Sequence, residues 1–397
     1  MAKNTHLTHL EDRLLTDGVS GAQESLNILK EMGNFLSGSG GNISVTTKWD
    51  GAPAVVCGYD PADGQFFVGT KSVFAKNDPK ACKTQSDIQK WYSGALASKL
   101  SICLRYLPNC VTEGVLQGDM MFTNSDKKTE TIDGKRFITF RPNTITYAVD
   151  PSTPLGREIA AAQLGIVFHT SYSGGSTLAN MEASFTIPQG SYKATPSVWA
   201  EKAEFQDIGG VASMSMAERS SYDGWVRKAE GSVKKAGTMM NRIQTGKKAL
   251  QMDTELLKFF NNYVKQGQNI PSVEQAYNDF HKHLAEEYNK AMNKLKTSKA
   301  IDAKGLAYLE QIVFMEDNQA NFKMMIAAYM NIQKAKNLLV NKMKAVQSMK
   351  MFVDQGGTYK ATTPEGFVAI SGKKATKLID RLEFSKLNFT VPKNWDK

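Results

Sequence analysis

Lys48, in the run Lys48-Trp49-Asp50-Gly51, is the side chain best suited by its neighbours to covalent chemistry. A lysine amine becomes a nucleophile when it sheds its proton near neutral pH, which burial or nearby positive charge brings about by lowering its pKa. Here the lysine ends an alternating apolar segment that starts at Ile43, and Asp50, Gly51 and Pro53 follow it as turn residues. A turn there presents the lysine at a sheet edge, with Gly51 letting a ligand approach the backbone. Four such residues also occur in ordinary turns after strands, so the chemistry depends on what the rest of the chain brings to Lys48.

The elements that must position it can be read from periodicity. Leu7, Leu10, Leu14 and Leu15, then Leu26, Leu29 and Met32, recur at helical spacing; Asp17-Gly18 breaks them, and a glycine-serine run at 37–41 ends them. From residue 43 the pattern turns to strands, at 43–48, 54–58, 65–69, 114–121, 137–140 and 145–150, and strand character returns at 358–362 and 366–370. Between about 215 and 350 apolar positions fall three and four apart, as in Leu256, Phe259, Phe260 and Tyr263. The expected class is therefore α+β. An antiparallel-sheet domain spans 41–215 and 351–397, an all-α insertion spans 216–350, and helices within 1–40 pack on the sheet domain.

The charge is as uneven as the periodicity. The chain has 397 residues with a net charge of +10 and a pI near 9.2. Residues 218–350 hold 22 Lys and Arg against 13 Asp and Glu, nearly all of the excess. Such a surface draws polyanions, and nucleic acid is the usual one in a cell. Cys57, Cys82, Cys103 and Cys110 have neither disulfide-framework nor zinc-ligand spacing, so reduced thiols and a cytoplasmic location are expected, with no membrane partner. His169, His281 and His283 lack a supporting Cys or carboxylate pattern and read as structural. The run from Gly64 to Ser72 is not a P-loop, because Thr70 stands where the lysine must follow the glycine.

Several further segments occur in an order that resembles a known superfamily. Lys48-Trp49-Asp50-Gly51 looks like the nucleotidyl-accepting motif of ATP-dependent RNA and DNA ligases and messenger RNA capping enzymes. Gly69-Thr70-Lys71-Ser72 and Leu116-Gln117-Gly118-Asp119 resemble the second and third motifs, and Ile145-Thr146-Tyr147-Ala148-Val149-Asp150 the aromatic strand that stacks on the purine. Glu365-Gly366-Phe367-Val368 resembles the Glu-Gly motif that serves the metal; Lys377 and Arg381 stand where a lysine pair would contact the α-phosphate, with Lys373 and Lys374 as alternatives for its second member.

The resemblance, closest to RNA ligase-like bacteriophage proteins, implies an ATP-grasp-like nucleotidyltransferase fold using ATP and Mg2+. Lys48 would take AMP. Asp50, Gly51, Lys71, Asp119, Tyr147, Lys377 and Arg381 would bind ATP or AMP, and Glu365 with Asp119 would hold the metal. The implied reaction joins 5′-phosphate to 3′-hydroxyl ends, RNA favoured. A DNA nick-sealing ligase, an inactive nucleic-acid-binding protein of ligase fold, and an adenylyltransferase acting on a protein or small molecule are the alternatives. Asp119 is one methylene shorter than the usual glutamate, and the residues after the last motif leave no room for the terminal barrel of capping enzymes. The basic helical block would then grip the strand, through Lys234, Lys235, Lys247 and Lys248, with Lys336 and Lys344 sharing a helix face.

Overall fold

The structure is a computed structural model that describes residues 7–37, 43–205, 212–245, 250, 252–346, 349–354, 359–372 and 374–385. Its strands form three sheets. The first is antiparallel, with β1 (Ile43–Lys48) beside β13 (Gly366–Ser371) and β14 (Lys374–Leu378) beyond it. The second runs in the order β10 (Val198–Lys202), β8 (Leu164–Ser173), β4 (Val115–Thr123), β2 (Ala54–Tyr59), β3 (Phe66–Gly69), with β9 (Glu182–Ser184) on β8; only the β10–β8 pair is parallel. The third is antiparallel, in the order β12 (Tyr359–Thr362), β11 (Lys350–Asp354), β7 (Ile145–Val149), β6 (Lys135–Phe140), β5 (Lys128–Ile132).

The helices are α1 (Arg13–Thr16), α2 (Gly18–Phe35), α3 (Gln85–Trp91), α4 (Gly94–Tyr106), α5 (Pro154–Ala161), α6 (Met216–Ala236), α7 (Met239–Thr245), α8 (Met252–Gln266), α9 (Val273–Met292), α10 (Ser298–Asp317) and α11 (Gln319–Met343). The chain is thus α+β with mainly antiparallel sheets and a helical region; β12 and β13 follow that region where strand character is expected, and β11 is a strand that was not among the expected ones.

The first sheet divides two environments. Strand side chains alternate faces, so Ile43 and Val45 of β1, with Ala369 of β13 and Leu378 of β14, fall on one side and are buried against the helices. Leu14, Leu26 and Leu29 of the first two helices join the same core as Phe260, Phe322, Ile332 and Leu339 of the later ones. Each such side chain contributes about 1.5–3 kcal/mol when buried. The amino-terminal helices and the helical block therefore share one core with the sheet. Polar contacts agree: the Tyr222 hydroxyl donates to Leu29 O, and Arg219 donates to Gly33 O at 2.5 Å.

The opposite face of the first sheet looks toward the second. After β10 the chain lies along β1, with Thr47 N–H donating to Ala203 O at 2.7 Å and Phe205 N–H to Val45 O at 2.8 Å. These bonds fix the two sheets at the angle that leaves a cavity between them.

Candidate functional site

Register decides which side chains meet in that cavity. In an antiparallel pair, partnered residues project to the same side. Thr46 pairs with Val368, Val368 with Lys377, and Lys48 with Gly366, so Thr46, Lys48, Val368 and Lys377 share the face away from the helical core. Glu365, one residue before β13, therefore arrives beside Lys48, and the two form an ion pair.

The electrostatics of this trio follow from its burial. Burial works to lower the pKa of Lys48, but the carboxylate of Glu365, helped by Asp119 and Asp50, more than cancels it, and the ammonium is held above its ordinary range. Burial pushes the Glu365 carboxyl up. Lys377 goes the other way, lowered by burial and then by the positive charge of Lys48.

The turn after Lys48 is built by residues expected to touch nucleotide. Asp50 is only 4% exposed; its carboxylate accepts from Thr144 N–H, Ile145 N–H and Asn143 Nδ2, each at 2.7 Å. It clasps the turn to β7 and does not face the cavity. Tyr147 is fully buried, and its hydroxyl accepts from Asp50 N–H at 2.8 Å. Its ring stacks on Phe140, with centroids 5.5 Å apart, and lies 5.5 Å from the ring of Trp49. The expected purine-stacking residue is thus a backing for Trp49, which lines the cavity in its place. Gly51 is likewise explained by protein packing: a Cβ there would come within 2.5 Å of Asp119 Cβ, so the glycine admits Asp119 and not a ligand.

The cavity has a volume of about 650 Å³, within the range of small-molecule sites. Besides Thr46, Lys48 and Trp49, its wall includes Lys71 and Asp119, two of the expected residues. The far wall comes from β8, which was not among the expected strands. His169 places Nε2 3.7 Å from Asp119 Oδ1, while its Nδ1 lies 2.8 Å from Thr170 Oγ1. Expected to be structural, this histidine lines the cavity. Tyr172 donates to Gln117 Oε1 at 2.6 Å, so the amide N–H2 of Gln117 is what remains for a ligand.

Other expected residues lie elsewhere. Arg381 is 3% exposed and donates to Asp12 Oδ1 at 2.9 Å, to Tyr329 at 3.0 Å and to Asn261. It ties the amino-terminal segment to α8 and α11, so a phosphate contact is replaced by a buried structural network. Lys336 is fully buried against Glu11 at 2.6 Å, and Lys344 is buried in a pair with Glu383. Neither faces solvent as a clamp residue would. Lys234 and Lys235 are exposed in the last turn of α6, remote in the chain from the cavity walls; Lys247, Lys248 and Lys373 lie outside the described residues.

Among the described residues, no three His, Cys, Asp or Glu side chains cluster as a metal cage. Glu365 and Asp119 both act electrostatically on Lys48. No described helix is long and apolar enough to cross a membrane. No curated protein and no solved structure matches the chain. Residues 4–393 match the family model described as a family of unknown function, DUF6267, and the chain belongs to that family.

Proposed function

We propose that the protein is an ATP-dependent nucleotidyltransferase that loads AMP on Lys48 and uses it to join polynucleotide ends. One observation carries this most: strand register brings Glu365 and Lys377, over 300 residues further along the chain, beside Lys48, which lines a cavity of nucleotide size. Their convergence supports the resemblance read from the motif order.

In the first step Lys48 Nζ attacks the α-phosphorus of ATP. The N–P bond forms as the bond to the bridging oxygen of the β-phosphate breaks, and pyrophosphate leaves. Nζ must first pass its proton to water, which the Glu365 carboxylate opposes and the Lys377 charge favours. Bound magnesium, held by Glu365 and Asp119, would supply positive charge to the phosphates and offset the carboxylate that holds Lys48 protonated. Lys71 at the cavity wall and Lys377 beside Lys48 spread the negative charge of the transition state. Trp49, backed by Tyr147, gives the base a flat apolar surface, and the Gln117 amide offers it a donor. The adenylyl group then passes to a 5′-phosphate, and a 3′-hydroxyl displaces AMP. RNA ends are the proposed substrate, with nicked DNA the alternative.

The test is incubation with α-labelled ATP and magnesium, followed by denaturation. Label retained by wild type and lost in Lys48→Ala is the expected result. No adduct with any of several divalent metals across pH 6–9 would sink the enzyme reading, leaving a binding protein of similar architecture.

A further inference from the structure

Residues 71–91 form a compact basic module at the cavity mouth, of which the adenylyl step uses only Lys71. The stretch carries five lysines and two aspartates. It begins at the 3-10 turn Lys71–Phe74, where Lys71, Lys76 and Asn77 line the cavity, and it ends at Trp91, the last residue of α3. Its ends are fastened together. Tyr92 places its hydroxyl 2.9 Å from Ser72 Oγ and 3.2 Å from Thr70 Oγ1, and Lys80 N–H donates to Ser72 O at 3.3 Å. Cys82 and Val68 exchange two backbone bonds of 2.9 Å, which pin the middle of the stretch to β3.

Of the acidic groups in and beside this module, Asp87, Asp60 and Asp63 are occupied, while the exposed Asp78 has no ion pair among the described residues. Asp87 accepts from Lys83 N–H, Thr84 N–H and the Thr84 hydroxyl, closing a capping box, and Asp60 and Asp63 both take Lys83. Among the described residues Lys76, Lys80 and Lys90 form no ion pair, and Lys76 and Lys90 are exposed. Lys80 and Lys90 instead lie 5.5 Å and 4.3 Å from the indole centroid of the half-buried Trp91. A cation over an indole keeps its full charge for a passing anion. Some lysines of the helical block are neutralised, Lys323 by Glu274 at 2.8 Å, Lys342 by Glu218 at 2.7 Å and Lys336 by Glu11 at 2.6 Å, while others, Lys234, Lys294 and Lys299 among them, form no ion pair among the described residues and lack the indole that Lys80 and Lys90 share.

We propose that this module is the entry track for a single-stranded polynucleotide, Lys76, Lys80 and Lys90 holding consecutive backbone phosphates and Trp91 giving one base a stacking face. The phosphates of a strand and the faces of its bases are the two features such a surface recognises without regard to sequence. The assignment of that strand as the AMP acceptor rests on the proposed function; its binding here does not. Lys76, the residue of the track that lines the cavity, would lead the end of the strand toward Lys48 in the same cavity.

The test uses the full chain and a fluorescent 5′-phosphorylated single-stranded RNA, with anisotropy titrations over a range of salt. Lys80→Gln with Lys90→Gln should weaken binding about tenfold or more and reduce the salt slope by about 0.7 for each phosphate that is no longer held. Trp91→Leu, which keeps apolar packing but removes the stacking face, should weaken it about tenfold. Lys234→Gln with Lys235→Gln should change it less than about twofold. Self-adenylylation should be unaffected by the Lys80 and Lys90 changes. Unchanged affinity and slope in the track variants, or no binding by wild type, would overturn the track. If the track variants weaken binding while no protein forms an adduct, the enzyme reading fails and the track stands; an adduct with unaltered binding has the opposite meaning.

Discussion

Two lysine–glutamate pairs lie on opposite sides of the first sheet. Lys336 and Glu11, in the helical core, are both fully buried at 2.6 Å, and Arg381, Asp12 and Tyr329 enclose them. Lys48 and Glu365 stand on the cavity side with 26% and 12% of their side chains exposed, and Lys377 and Asp119 are near. The chemistry of the two pairs is the same, yet only one can be reached. A ligand able to supply or remove charge can open the Lys48 pair, whereas the Lys336 pair is locked by the packing that surrounds it. Access, more than residue type, separates a lysine open to a ligand from a structural one.

The largest effects should come from breaking one pair at a time. Lys336→Ala removes the nearer of the two cations that face the buried Glu11, leaving Arg381 at 4.0 Å, and should cost about 3–5 kcal/mol in denaturant unfolding. Lys48→Ala should cost about 1 kcal/mol or less while removing the covalent adduct. Replacing both members of the sealed pair, as Lys336→Met with Glu11→Leu, should recover most of the lost stability, because two apolar groups leave no orphaned charge. A Lys336→Ala protein as stable as wild type would erase the contrast.

A smaller effect sharpens it. The Glu365 carboxylate raises the pKa of Lys48 against the pull of burial, so Glu365→Gln should lower it and leave more free amine near pH 8. In the absence of nucleotide and metal, Lys48 should then react severalfold faster with an amine-specific acylating reagent, read by peptide mapping. The same variant should form adduct more slowly, since it loses a group proposed to hold the metal. Acylation that is unchanged or slower would show that Glu365 does not set the charge state of Lys48.

The smallest effect concerns His9, which bridges β14 through Lys377 and lies between the two pairs. Burial, then Arg381, Lys336, Lys377 and Lys48, hold its imidazole well below the usual range. The unfolded chain therefore binds a proton at about pH 6.5 that the folded chain refuses, and stability should decline as pH falls below that value. Asp12, raised by burial, acts with the opposite sign near the carboxylate range. His9→Gln should flatten the decline between about pH 6.5 and 5, measured by urea midpoints.

Much of the frame was legible because it obeys simple periods. β1 occupies 43–48 as expected, since one of its faces meets a core and the other a cavity. Asp17-Gly18 separates α1 from α2 as the turn residues indicate. β8 escaped notice because Leu164 to Phe168 is buried on both faces, and a strand without a polar side has no alternation to read. His169 was missed with it. The burial of Tyr147, Arg381 and Lys336 depends on distant segments, among them the Asp50 turn and the Glu11-Asp12 segment. No local pattern distinguishes an inward lysine from a solvated one. The convergence of Lys48 with Glu365 and Lys377 was legible only as an order of motifs, and strand register supplies its geometry.

The most direct measurement is to incubate the full chain with ATP and magnesium, digest it, and locate any adenylyl group by mass spectrometry. The expected result is one adenylylated site, on the peptide containing Lys48, absent in Lys48→Ala and diminished in Lys377→Ala. An adenylyl group on Lys377, Lys71 or any other residue while Lys48 stays unmodified would contradict it.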